Sequence, residues 1–314
     1  MEYNKYAISF QGNGLDYFKI QLVNMILTAV TLGLYYPWAK ARSLNYLYGQ
    51  SVFEGQPFVF SGTGSEMFKG FIKAFALLIV FYATLLVCLM NKAETAGIIL
   101  FYGCLLLVMP LSIHGSYRYR FAKTTWSGIR FGYTGNKWAF VRLFIKGAFF
   151  SIITLGIYSP WFLMNMRRYL VCNIRVGNAR FAYKGVGSEY FLLMLKGYFL
   201  TAITLGVYFF WWQKELFAYY VDNMRLTKDD ETMLFRANAT GGDFVALLIV
   251  NLLLFIFTLG LATPWIVVRS LNFVMRHMVL DGTIEFDLLR QEQSDYSDAT
   301  GEDMADFFDF GFVI

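Results

Sequence analysis

Long apolar stretches alternate with shorter polar segments along the chain. Core helices of soluble proteins place a polar residue at every third or fourth position, and these stretches do not. A helix needs about 20 residues to cross roughly 30 Å of hydrocarbon, and each stretch approaches that length. The pattern therefore predicts about six transmembrane helices, at about 17–36, 71–90, 96–113, 141–162, 191–212 and 244–268.

Two short motifs recur along the chain. The first reads TLGLYYPW from Thr31, TLGIYSPW from Thr154, TLGVYFFW from Thr204 and TLGLATPW from Thr258, and a degenerate copy surrounds Pro110. The second is an aromatic residue followed by two alternating glycines, as in Phe10-x-Gly12-x-Gly14, and it precedes the apolar stretches. Self-similarity at a period of about 50 residues is typical of repeat architectures. The second copy holds two apolar stretches, so five repeats predict six spans.

The repeats predict one transmembrane domain over residues 1–286, followed by a separate tail. The repeat boundaries are about 8–57, 58–130, 131–180, 181–233 and 234–286. The tail, 287–314, holds eight acids and one base and ends in the aromatic sequence FFDFGFVI. Apolar side chains at that density usually dock on a surface. We expect the tail to dock on its own chain or a neighbouring subunit, or to recruit another protein.

Each part of the repeat has a physical interpretation. Alternating residues after a glycine turn such as Glu54-Gly55 predict a small β-hairpin outside the bilayer. The glycine of each Thr-Leu-Gly predicts a left-handed helix stop, at Gly33, Gly156, Gly206 and Gly260. The helix that follows is too polar to span and is expected to lie along the interface. The predicted class is an all-α polytopic membrane protein with short interfacial helices and small extramembrane hairpins.

Composition and charge indicate a lipid environment. The chain is 57% hydrophobic and only 16% charged, with a mean hydropathy of +0.47. Without its acidic tail the body is strongly basic, and its Lys and Arg residues adjoin apolar stretches, which favours anionic lipid headgroups over nucleic acid as partners. With six alternating spans the basic residues divide almost equally between the two sides, so the positive-inside rule gives no orientation. Either the repeats alternate in orientation or some segments are re-entrant hairpins.

The chain lacks the motifs of known catalytic and metal sites. His114 and His277 have no metal-binding spacing, and the three cysteines are unclustered. A nucleophile elbow and a phosphate-binding glycine loop are also absent from the sequence. We therefore expect no enzyme activity, no metal and no cofactor, and oligomerisation stays open.

Polar side chains at recurring depths are the candidate binding residues. Most lie five or eight positions after the proline position of their repeat: Arg42, Asn45, Arg118, Arg168, Arg269 and Asn272. Arg142 and Lys146 lie within an apolar stretch and share one helix face, which favours a cavity lining. The alternative is snorkelling of these basic side chains to the headgroups.

The Thr-Leu-Gly-x-Tyr-x-Pro-Trp string, the glycine lead-in and the ending GEDMADFFD from Gly301 resemble the YjgN-like family of bacterial inner-membrane proteins. The resemblance covers nearly the whole chain and implies location and architecture. It supplies no catalytic or substrate residues. Two departures are Phe210 in place of the proline and the missing Thr-Leu-Gly before Pro110.

Two function classes remain open from the sequence. Repeats, basic groups near spans and glycine-broken helix ends favour a transporter or channel for a small or anionic solute. The predicted spans lack acidic residues, which proton-coupled transporters commonly use. That absence favours a non-transporting scaffold or lipid-organising protein.

Overall fold

The computed structural model describes residues 4–229 and 231–282, together with positions 284, 286 and 289. A strand, two antiparallel helices and a second strand follow one another five times. The helices are α1 Gly14–Val30, α2 Tyr36–Gly49, α3 Gly64–Met90, α4 Glu94–Ala122, α5 Lys137–Ile153, α6 Ser159–Cys172, α7 Gly187–Ile203, α8 Phe209–Asp222, α9 Gly241–Phe257 and α10 Thr263–Arg276. The strands are β1 Asn4–Phe10, β2 Ser51–Phe53, β3 Gln56–Phe60, β4 Thr124–Trp126, β5 Ile129–Tyr133, β6 Ile174–Val176, β7 Ala179–Tyr183, β8 Met224–Lys228, β9 Glu231–Ala237 and β10 Met278–Gly282.

The strands form one closed antiparallel barrel. Its order is β1-β10-β9-β8-β7-β6-β5-β4-β3-β2, and β1 pairs with β2 to complete the circle. Tight two-residue turns join several strand pairs, for example Glu54 and Gly55 at φ of +47° and +74°. Pairing of Tyr6 with Leu280 joins the first repeat to the last. Closure removes the unpaired edges that a row of separate hairpins would expose.

The helices form a ring above the barrel. Each helix contacts the one before it and the one after it, and α1 contacts α10. Every helical hairpin leaves the barrel at the end of one strand and returns at the start of the next. All five hairpin tips therefore lie at the same end of the molecule, opposite the barrel.

The prediction of an all-α protein with about six spans is wrong. The structure contains a ten-stranded barrel, and within the described residues only α3 and α4 are long and apolar enough to cross a membrane. Most of the apolar stretches identified in the sequence continue across a helix break. The stretch 17–36, for example, includes the end of α1, a turn and the start of α2. A hydropathy pattern cannot separate one long helix from two short ones when the turn between them is also apolar.

The sequence suggested that the polar helices are separate interfacial segments, and the structure shows a different arrangement. Each is the returning arm of a hairpin, packed against the apolar helix before it and leading into a strand. The near-equal division of basic residues has the same explanation. It requires loops on alternating sides, whereas all five helical hairpins join the barrel at one end of the ring.

The Thr-Leu-Gly motif forms the hairpin tip. Gly33, Gly156, Gly206 and Gly260 have φ of +93°, +92°, +96° and +85°, in the left-handed region expected of a helix stop. In the first repeat Thr31 Oγ1 donates to Leu27 O at 2.7 Å and accepts from Tyr35 N at 3.0 Å. The threonine thus satisfies backbone groups on both sides of the turn.

Candidate functional site

The barrel encloses an apolar cavity of about 460 Å³. Its wall combines inward side chains of the strands with side chains of α4, α6 and α8 near the barrel rim. Alternate strand residues point inward, as on β8, where Met224 and Leu226 are buried. The lining residues are Ile8, Phe53, Phe58, Ile113, Tyr117, Phe121, Trp126, Phe131, Leu163, Met164, Met166, Arg167, Leu170, Val171, Ile174, Val176, Phe181, Tyr220, Met224, Leu226, Phe235, Met278, Leu280 and Phe286.

The two ends of the cavity differ. On α6, Leu163 is the lining residue nearest to the hairpin tip, and it is 39% exposed. At its helix end the cavity lining therefore reaches an exposed surface of the helix ring. At the strand end, Phe286 packs edge-on against Tyr6 and Phe53, with ring centroids 5.0 and 4.8 Å apart. Ile284 beside it is fully buried.

Arg167 is the only charged side chain among the described lining residues. Its guanidinium carbon lies 4.1 Å from the ring centroid of Tyr220 and 5.4 Å from that of Tyr183. Such cation–π contacts are worth about 0.5–2 kcal/mol each, depending on desolvation. The Nε atom is buried and has no hydrogen-bond partner within the described part of the chain.

The tyrosines around Arg167 form a neutral polar group. The hydroxyls of Tyr190 and Tyr220 are 2.6 Å apart, and that of Tyr183 donates to Met164 Sδ at 3.7 Å. Burial raises the pKa of Tyr183, and the neighbouring Arg167 only partly offsets that rise. Tyr183 therefore stays protonated at neutral pH, and the charge of Arg167 is not neutralised by an anionic phenolate.

Three of the candidate residues serve the backbone of the next repeat. Arg168 donates from Nη2 to Gly185 O at 2.7 Å, and Asn45 donates from Nδ2 to Gly62 O at 3.4 Å. Asn272 makes a related contact, 3.5 Å to Phe10 O, two residues before the equivalent glycine and across the junction between the last repeat and the first. The eighth position after the proline thus ties three of the five returning helices to the following repeat.

The other candidates are scattered over the helix ring. Arg42 is exposed on α2, Arg269 donates to Ala246 O at 3.2 Å, and Arg118 is half-buried on α4. Arg142 and Lys146 are exposed on α5. The structure brings Lys146 together with Arg168 in a groove of about 520 Å³ between α5 and α6, whose lining does not include Arg142.

The comparisons with known proteins identify a family. The family model described as "Bacterial protein of unknown function (DUF898)" matches residues 5–185 and 212–307. The chain belongs to this family. No solved structure matches the chain.

Three curated relatives agree with this assignment and confirm the resemblance to the YjgN-like family. Inner membrane protein YjgN of Salmonella typhimurium is 31% identical over 130 residues, which are 41% of this chain and 32% of that protein. The proteins of the same name from Escherichia coli O157:H7 and strain K12 are 31% and 30% identical over 133 residues. The match spans about a third of the length of these relatives. These names support an inner-membrane protein of unknown function.

The sequence analysis does not identify Arg167 as a candidate residue, although a comparison of the five repeats of this chain contains a signal. Arg167 lies seven residues after Pro160, and at that position the other repeats have Leu44, Tyr117, Phe217 and Leu271. These counterparts are buried or pack against the core clusters. An arginine at a repeat position that is otherwise apolar or aromatic marks an exception, which a comparison of the repeats would have found.

Proposed function

We propose that the protein is a lipid-handling membrane protein that takes an acyl chain from the surrounding bilayer into its barrel. The observation that carries this proposal is the apolar cavity of about 460 Å³, whose lining reaches the exposed surface of the helix ring at Leu163. Ligand cavities typically measure about 300–1,000 Å³ and are lined mainly by apolar side chains with a few polar groups. The proposed role is binding, without catalysis.

The hairpin tips support a placement of the helix ring inside the bilayer. Leu32, Leu155, Leu205 and Leu259 all have φ of +50° and are 92–94% exposed. A left-handed conformation costs a leucine about 1–2 kcal/mol, and a leucine exposed to water gains nothing in return. Burial of these side chains in hydrocarbon offsets that cost.

The long hairpin differs from the other four in the way that a crossing hairpin should. At its tip Lys92 has φ of +58° and repeats the backbone hydrogen bonds of Leu32. The helices α3 and α4 have 27 and 29 residues, or about 40 Å each, against about 25 Å for the 17 residues of α1. We propose that this hairpin crosses the bilayer and presents Lys92 to water, whereas the four short hairpins end within the lipid.

This arrangement favours a lipid over a small polar solute as the ligand. The barrel lies at one membrane face, and its open end is turned to the hydrocarbon that surrounds the hairpin tips. A dissolved ion would leave Arg167 as its only charged partner among the described lining residues. An acyl chain gains about 0.8 kcal/mol for each methylene that it buries, although a chain arriving from the bilayer retains only part of this gain.

Occupancy of the cavity is the direct test. Val176 lines the cavity, and Val59 is 55% exposed on the barrel exterior, so the same substitution to Trp can be made inside and outside. We expect the purified V176W variant to lose binding of a fluorescent fatty-acid probe, and the V59W variant to keep it. A second interior variant, L226F, covers the case in which V176W does not fold. Equal probe binding by folded interior and exterior variants would refute lipid uptake into the barrel.

Solute transport is the second candidate function, and the groove between α5 and α6 favours it. Lys146 and Arg168 provide two basic groups there, with Asn165 as a further polar residue. Such a groove suits an anion, either in solution or as a lipid headgroup. Flux of radiolabelled small anions into proteoliposomes tests this candidate. Transport that is lost in K146Q but kept in V176W would support it over lipid uptake.

A further inference from the structure

Arg167 is a cation without an ion-pair partner on the inner surface of the protein. No described carboxylate forms a salt bridge with it, and its contacts within the described residues are to aromatic rings. Arg167 is half-buried, and a charge that is partly removed from water is costly unless it is paired and hydrogen-bonded. Two stacked rings compensate only part of this cost, because they accept no strong hydrogen bond from the guanidinium edge.

The unmatched edge of Arg167 is suited to an anion. A guanidinium presents donors in a planar fork that fits a carboxylate or a phosphate, and in Arg167 the group lies over the ring of Tyr220. Tyr220 also lines the cavity, and its hydroxyl can donate to a headgroup when it accepts the hydrogen bond from Tyr190.

The rest of the cavity suits a single chain. Val176, Leu226, Phe235 and Met278 continue the lining from the rim into the barrel. If a methylene group takes about the volume of one water molecule, roughly 30 Å³, the cavity holds on the order of fifteen methylenes. That is one acyl chain and not two.

We infer that the barrel binds a single-chain anionic amphiphile, a fatty acid or a lysophospholipid, with its carboxylate or phosphate on Arg167 and its chain inside the barrel. This inference rests on the proposed lipid uptake and adds the class of ligand and the residue that selects it. Arg167 acts here as a specificity determinant for the headgroup.

The test separates the charge of the ligand from its chain. Hexadecanoate, hexadecyl phosphate, hexadecanol and inorganic phosphate are titrated into the delipidated protein, with probe displacement as the readout. We expect both charged amphiphiles to bind at least about tenfold more tightly than hexadecanol, the effect of one charge-assisted contact. In R167Q this ratio should fall to near one, while the affinity for hexadecanol is unchanged.

Arg142 provides the control. It is exposed on α5 and lies outside the linings of the cavity and of the groove. R142Q should therefore keep the preference for charged amphiphiles. R167K keeps the charge without the planar fork, so an intermediate preference is expected, and it serves as the second variant if R167Q does not fold.

Each contrary outcome has a distinct meaning. Equal binding of hexadecanol and the charged amphiphiles by the unmodified protein overturns the headgroup inference but leaves lipid uptake intact. Failure of all three amphiphiles refutes lipid uptake itself. Inorganic phosphate that competes as well as hexadecyl phosphate identifies a site for a free anion and overturns the single-chain amphiphile.

Discussion

Gly14 lies against the indole of Trp265, 251 residues later in the chain, so closely that a Cβ at Gly14 would overlap the ring. Gly14 begins α1 in the first repeat, and Trp265 follows the proline at the start of α10 in the last. The contact therefore closes the helix ring between the last repeat and the first. The pairing of β1 with β10 joins the barrel at the same junction.

The same joint recurs between consecutive repeats. Besides Gly14 with Trp265, the pairs are Gly64 with Trp38, Gly187 with Trp161 and Gly241 with Trp211. At the junction of the second and third repeats, Leu111 occupies the tryptophan position and Lys137 the glycine position. Both partners are thus replaced at one joint, as expected if each residue type is needed for the other. The two recurring motifs of the sequence are two halves of one contact.

This joint predicts a contrast between two adjacent glycines. A Cβ at Gly241 would lie 2.6 Å from Trp211 Nε1, whereas a Cβ at Gly242 would lie 3.8 Å from Thr240 Oγ1. We expect G241A to lower the free energy of unfolding by about 1–3 kcal/mol through overpacking, and G242A to have little effect. Chemical denaturation in detergent measures both. The double variant W211L/G241A should recover most of the loss, and no recovery would mean that the indole is not the cause.

The hairpin tips predict which positions water reaches. In a chain with Cys88, Cys104 and Cys172 replaced by serine, a single cysteine is placed at Lys92, at Leu205 or at Ser127 in a barrel turn. A membrane-impermeant maleimide should label K92C from the face opposite the barrel and S127C from the barrel face. L205C should react only after detergent is added. Labelling of L205C from the face opposite the barrel would show that α7 and α8 cross the bilayer.

The helix stops predict that two glycine-to-alanine substitutions change the stability of the protein in opposite directions. Gly206 has φ of +96° with open space around it, and Gly103 lies within α4, also with open space. We expect G206A to destabilise by about 1 kcal/mol, because only its backbone conformation opposes a side chain, and G206V by more. G103A should stabilise by up to about 1 kcal/mol, since alanine is the better helix former. Denaturation midpoints that move the same way would remove the conformational explanation.

Local features of the fold could be predicted from the sequence, and the global arrangement could not. The left-handed glycine at Gly33 and the turn at Glu54-Gly55 depend on neighbours in the chain, so a motif contains the necessary information. The pairing of Tyr6 with Leu280 joins residues from opposite ends of the chain. Strands of only three to seven residues beside strong apolar stretches give too little alternation to indicate a barrel.

The candidate site illustrates the same limit. Arg42 and Arg168 stand out in the sequence by their recurring position, and recurrence marks structural needs that repeats share, such as the contact of Arg168 with Gly185 O. A ligand site on a closed ring of similar repeats depends on where one repeat differs. Arg167 is such a difference, but its significance depends on the cavity, which the sequence does not reveal.

The last prediction concerns the segment that follows the barrel. Ile284 and Leu289 are buried and Phe286 packs on Trp126, so the chain after β10 enters the core at these described positions. Truncation of Phe286 to alanine should destabilise by about 2 kcal/mol or more, as measured by thermal unfolding in detergent.

The acidic end of that segment, residues 303–314, lies outside the described residues, and its docking on the chain stays a prediction. Because the body is basic, deletion of residues 303–314 should lower the thermal midpoint more at low salt than at high salt, where charges are screened. Its four phenylalanines should leave a loss that persists at high salt, since apolar burial is not weakened by screening. F286A should show no comparable salt dependence and serves as the control. An unchanged midpoint of the deletion variant under both conditions would favour a tail that binds another protein.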